Sequence, residues 1–145
     1  MKLTSLSLSN LILDAETLTR ILELVPSLEK LVLPSPMSDE LVNMMNPTRY
    51  TFPALPVAPR LLYLEVNHQA LLFSPRVFVD MVRSRWNPGA VTSNRTCSNL
   101  ETLVVRTSRN VFVAENLRLL RVLHHAGMKI LLKAGDNLIN LDQES

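Results

Sequence analysis

The sequence predicts an α/β fold of stacked strand–helix units: a solenoid bent into a short horseshoe, with about five parallel strands on its concave side and helices on its convex side. Three observations carry that expectation. A short phrase, L-x-x-L-x-L, recurs at Leu3–Leu8, Leu28–Leu33, Leu61–Val66 and Leu100–Val105. Between its copies lie segments whose apolar residues fall at helical spacing. Inside the phrases, apolar residues alternate with others: Leu6 and Leu8 with Ser5 and Ser7, Leu31 and Leu33 with Lys30 and Val32, Leu64 and Val66 with Tyr63 and Glu65. Side chains alternate across a strand, so this pattern buries one sheet face and leaves the other open, whereas a doubly wound sheet covered on both sides needs continuously apolar strands.

The phrase is the strand of a leucine-rich repeat, in which each unit buries its leucines only against its neighbours. The four starts, Leu3, Leu28, Leu61 and Leu100, lie 25, 33 and 39 residues apart. Regular units run about 20 to 29 residues, so the two longer ones carry insertions. The first insertion is residues 46–60, where Pro47, Pro53, Pro56 and Pro59 oppose both helix and central strand; the second is residues 87–99, opened by Asn87, Pro88 and Gly89. Both read as surface loops. The whole chain, 1–145, reads as a single irregular repeat domain.

In chain order, Asp14 is placed to cap a helix whose Leu18, Ile21, Leu22 and Val25 share a face before Pro26 stops it. Ser38 is placed to cap a short helix with Asp39 and Glu40 in its first turn and Leu41, Val42, Met44 and Met45 as its apolar residues. Ser74, with Pro75 at the first helical position, opens a third helix carrying Phe78, Met81 and Val82. A fourth runs from about Ala114 to His125 with Leu117, Leu120 and either Leu123 or Val122 inward, and Gly127 as its C-terminal cap. Met128–Lys133 then reads as a fifth, degenerate strand closing the array before the turn signal Ala134-Gly135-Asp136-Asn137.

Composition narrows the function. With 15 basic and 13 acidic residues the net charge is +2, and the charges are spread along the chain, so a nucleic-acid partner is not expected. No apolar run reaches the roughly 18 residues that span a bilayer, and the N-terminus lacks the pattern of a secretory signal; the expectation is no membrane partner and an intracellular location, cytoplasmic or nuclear. One cysteine, Cys97, makes no internal disulfide and fits a reducing compartment.

Catalytic patterns are sparse. Only Gly89, Gly127 and Gly135 are present, too few for a glycine-rich phosphate loop. His124 and His125 are adjacent on a helix and point about 100° apart, so they do not share a metal as an i, i+4 pair does, and a histidine at a helix C-terminus suits the dipole there. His68 reads as a loop or strand-end residue, and Asn94-Arg95-Thr96 as an unused glycosylation triplet. Trp86 fits either a partner anchor or packing over the rim of the core. Arg83, Arg85, Arg95, Arg106 and Arg109 fit either a mildly basic edge or a solvated face. No enzyme activity, cofactor or metal is expected.

Pro26-Ser27-Leu28-Glu29-Lys30-Leu31-Val32-Leu33 resembles the P-S-L-E-x-L-x-L unit of leucine-rich repeats in F-box proteins, especially the fungal type. Pro59–Val66, Phe73-Ser74-Pro75 ahead of a helix ending in Ser84-Arg85-Trp86, and Leu117–Gly127 leading into Met128–Leu132 are similar to the same family, so the resemblance covers most of the chain. It implies the substrate-binding part of a subunit of a cullin-type ubiquitin ligase. The F-box itself has no counterpart here, so a ubiquitin-ligase adaptor is an expected partner only where that segment lies upstream. Leu11, Pro36 and Gln69 stand where the family places an asparagine, which implies a looser convex corner.

The expected binding residues are those that alternate with the buried leucines: Ser5, Ser7, Lys30, Val32, Tyr63, Glu65, Thr102 and Val104, continued by Ile130 and Leu132. Strands about 4.8 Å apart make this face on the order of 20 Å wide, the scale of one peptide or a small protein patch. The expected function is protein recognition. The alternative is a free-standing repeat scaffold, or a competitor that binds the same targets without delivering them. Open sheet edges also predict self-association or marginal stability of the isolated chain.

Overall fold

The described leucines of the phrases line up in rows across one sheet. A computed structural model describes residues 4–7, 15–33, 39–46, 57–67, 74–86, 100–107, 114–139 and 141. Within them the chain runs β1 (Ser5–Ser7), α1 (Ala15–Glu23), β2 (Lys30–Leu33), α2 (Asp39–Met44), β3 (Tyr63–Asn67), α3 (Pro75–Trp86), β4 (Thr102–Thr107), α4 (Ala114–His125), β5 (Lys129–Ala134) and β6 (Asn137–Ile139). The six strands form a single sheet in chain order, parallel from β1 to β5, with β6 added antiparallel. The fold is therefore α/β, with a mostly parallel sheet in which each strand pairs with the next.

The register aligns the phrases. Leu6, Leu31, Leu64, Leu103 and Ile130 make one row, and Leu33, Val66, Val105, Leu132 and Ile139 a second. Both rows pack into the core with Leu18 and Leu22 of α1, Val42 and Met44 of α2, Phe78, Met81 and Val82 of α3, and Leu120 and Leu123 of α4. Burying one such side chain contributes about 1.5 to 3 kcal/mol, which is why the phrase sets the register. Each helix packs on the next, α1 on α2, α2 on α3 and α3 on α4.

The strand starts are tied by the main chain. Carbonyls of Thr4, Glu29 and Leu62 each accept two N–H groups from the next unit, at 2.8 and 2.9 Å, 2.8 and 2.9 Å, and 2.8 and 3.0 Å. The Glu101 carbonyl accepts the Lys129 N–H at 2.9 Å. Just before these groups, Leu28, Leu61 and Leu100 are buried. In the fifth unit Gly127 takes the equivalent place, with φ of +120°, and Met128 one residue later is the buried residue. A Cβ on Gly127 would lie 3.6 Å from Cη2 of Trp86, so a side chain there has ordinary room but a strained backbone. Trp86 itself is half-buried against the core.

Several expectations are met residue by residue. Leu18 and Leu22 are buried, with Val25 packed beside them, and the inward residue late in α4 is Leu123, since Val122 is 61% exposed. Others are corrected. The first insertion is not wholly a surface loop, because Val57 and Ala58 are buried in the core. Arg85 belongs to no basic edge: it is fully buried, and its guanidinium donates to the Met45, Ala58 and Val57 carbonyls at 2.8, 3.0 and 2.5 Å. That cradle holds the end of the first insertion against α3, and Ala58 sits there at φ of +49°, a left-handed conformation that costs an alanine about 1 kcal/mol. Of the other four arginines, Arg83 is exposed near Asp80, Arg106 is exposed on the sheet, and Arg95 and Arg109 lie outside the described residues. So do Leu8, Leu11, Asp14, Pro36, Ser38, His68, Gln69, the Asn94 triplet, Cys97 and residues 87–99 as a whole.

The sixth strand was not foreseen. Ala134-Gly135-Asp136-Asn137 turns the chain back, Gly135 supplies φ of +61°, and Asn137–Ile139 pairs with β5 as a hairpin. Among the described residues no helix is long and apolar enough to cross a membrane.

Candidate protein-docking face

On the side of the sheet away from the helices, the alternate residues form three rows. The first is Ser5, Lys30, Tyr63, Thr102 and Lys129; the second is Ser7, Val32, Glu65, Val104 and Leu131; the third is Asn67, Arg106, Lys133 and Leu138. All eight residues singled out in β1 to β4 thus share one face. Ile130 and Leu132 do not. The register sets Ile130 beside Leu103 and Leu132 beside Val105, so both point toward the helices, and Lys129, Leu131 and Lys133 take the open face. The physical reason is the one-residue offset at the end of α4: Gly127, not Met128, aligns with Leu100.

The centre of this face is a hydrogen-bonded ladder along β3. Residues two apart on a strand project the same way, and Tyr63, Glu65 and Asn67 use this fully. The Tyr63 hydroxyl donates to Oε1 of Glu65 at 2.6 Å, and the Asn67 amide donates to Oε2 at 2.9 Å. Lys30, the β2 neighbour of Tyr63, places Nζ 4.7 Å from the centre of its ring, a cation–π contact. Partial burial favours the neutral form of Glu65, but the Tyr63 and Asn67 hydrogen bonds and the nearby Arg106 and Lys30 charges outweigh it and hold the carboxyl below its usual range. The Tyr63 hydroxyl is pushed up by its hydrogen bond to Glu65, by burial and by the Glu65 charge, against an opposing pull from Arg106.

The apolar residues at the middle of the face are recessed. Val32 is half-buried, and Val104 is only 5% exposed while standing outside the main core, wedged in the row between Glu65 and Leu131. The exposed apolar surface lies further along, at Leu131 (38%) and Leu138 (64%). Nothing in the phrase pattern marked these two, because the offset of β5 and the β6 hairpin decide where they point.

The two histidines sit at the C-terminal end of α4. Nδ1 of His124 lies 3.2 Å from the Met128 carbonyl, closing the helix end, and the two rings are 5.9 Å apart. No cluster of three His, Cys, Asp or Glu residues suited to a metal ion occurs among the described residues. In comparisons with known proteins, no family model matches the chain, and neither a curated protein nor a solved structure gives a significant match.

Proposed function

We propose that the chain is a leucine-rich-repeat module that recognises a protein through the open face of its sheet, as the substrate-binding part of an F-box subunit of a cullin-type ubiquitin ligase would. The observation that supports this most is the register, which lines up Lys30, Val32, Tyr63, Glu65, Thr102 and Val104 side by side. In-register rows on a rigid sheet fix side chains before a partner arrives, which lowers the ordering cost of binding. Supporting it further is the prearranged Tyr63–Glu65–Asn67 ladder, a set of polar groups fixed by one another rather than left to solvent.

Affinity purification from the organism's own cells tests the reading, using the intact chain beside a variant with Lys30→Glu and Val32→Asp. Partners lost with the variant are those held by the face. Cullin-ligase components among the retained proteins support the ubiquitin reading; face-dependent partners without them leave a free-standing scaffold or competitor. Identical recoveries from both forms would sink recognition by this face. Self-association through β1 or β6 is read from sedimentation of the purified chain.

A further inference from the structure

We infer that the β4–β6 end of the open face binds an acidic peptide segment that carries an aliphatic residue between its carboxylates. This deepens the recognition reading and rests on it. Along β5 the face presents Lys129, Leu131 and Lys133 in succession, the leucine 38% exposed between two lysines. Successive same-face residues of an extended strand are about 7 Å apart. An extended peptide repeats at the same interval, so an acidic-x-aliphatic-x-acidic segment lying along β5 meets Lys129, Leu131 and Lys133 in turn.

The neighbouring strands reinforce this chemistry. Arg106 is exposed beside Lys133 on β4, and Leu138 is 64% exposed beside Lys133 on β6, extending both the positive and the aliphatic surface. Among the described residues of the three rows the acidic side chain is Glu65, and both its oxygens already accept hydrogen bonds from Tyr63 and Asn67. Arg106 and Lys30 act on that charge from the neighbouring strands. Along β5 itself, Lys129–Ala134, no acidic residue occurs, so incoming carboxylates meet Lys129 and Lys133 unopposed on that strand, and charge complementarity of this kind selects partners and speeds encounter. Single-stranded nucleic acid would use the same cations, and proteins that bind it without sequence preference also stack its bases on aromatic side chains. Tyr63, the aromatic residue of these rows, already holds Lys30 over its ring and Glu65 on its hydroxyl.

The test is selection of a displayed library of random peptides on the full chain, followed by affinity measurements on the enriched peptides as synthetic molecules. Enriched sequences should combine Asp or Glu with Leu, Ile or Val at alternate positions, and binding should weaken as salt is raised. Arg106→Glu combined with Lys129→Glu alters two exposed side chains, so its melting midpoint should match the parent while affinity falls about fivefold or more, as expected for two exposed ion pairs. Replacing the peptide carboxylates by amides should cause a similar loss. Enrichment of aliphatic peptides without acidic bias, lost on Leu131→Ser, would overturn the acidic specificity while leaving recognition by the face intact. An unbiased library, or a single-stranded oligonucleotide bound more tightly than any peptide, would also overturn it.

Discussion

The two sides of the sheet treat a charged group in opposite ways. Arg85, on the helix side, is fully buried and held by three main-chain carbonyls, that of Met45 just after α2 and those of Val57 and Ala58 near the end of the first insertion. Glu65, on the open side, is partly exposed and held by two side chains of its own strand. The partners of Arg85 come from residues 27 to 40 positions away, so it fastens distant pieces of chain together. Those of Glu65 lie two positions away, so it arranges a surface and fastens nothing. One charge belongs to the fold and the other to what the fold displays.

The sharpest way to break this contrast is to remove both charges in turn. Arg85→Met should cost about 4 kcal/mol in urea-induced unfolding, because three buried carbonyls lose their donors at once. Arg85→Lys should recover only part of that, since one ammonium cannot serve three divergent acceptors. A loss below about 1 kcal/mol would show that the loop end closes without its clamp. Next in size, Leu64→Ala, at the centre of the first leucine row, should cost about 3 kcal/mol by leaving a cavity between β2 and β4.

On the open side the effects should be small. Tyr63→Phe should lower stability by about 0.5 to 1 kcal/mol, the scale of one partly exposed hydrogen bond. Smaller still is the dependence on pH. The folded chain favours ionised Glu65, so this contribution is present above the ordinary carboxylate range and is lost as pH falls through the depressed folded value. Tyr63 favours its neutral form, so its contribution persists up to the ordinary tyrosine range and is lost as pH rises through the elevated folded value. Glu65→Gln should shallow the acid limb of a stability profile measured by thermal melting. An unchanged acid limb would mean that the ladder contributes nothing to folding.

The comparison also shows which parts were legible in the amino-acid sequence. The leucine rows and helix faces were, because hydrophobic periodicity records them directly. So were the eight face residues from Ser5 to Val104, since alternation on a strand leaves no freedom once the leucines are placed inward. The misreading of Ile130 and Leu132 has a definite source. Placing Ile130 and Leu132 in line with Thr102 and Val104 requires Met128 to stand opposite Leu100, while the main chain aligns Gly127 there. Glycine carries no hydrophobic signal, so the offset is invisible to periodicity. Arg85 was misread for a related reason: composition assigns arginine to the surface, and carbonyls of a proline-rich insertion leave no trace in the pattern. Leu138 became part of the face only through the hairpin that follows Ala134.

The carbonyls of Thr4, Glu29 and Leu62 carry a consequence for how such a chain can change over time. Each docks the following unit through peptide groups alone, so the junction does not depend on which side chain occupies these positions: they are a threonine, a glutamate and a leucine. What lies between two junctions can lengthen without disturbing the stacking, and intervals of 25, 33 and 39 residues coexist here in one sheet. Growth by insertion is therefore channelled into the returns, and the pitch of the array is metered by the backbone.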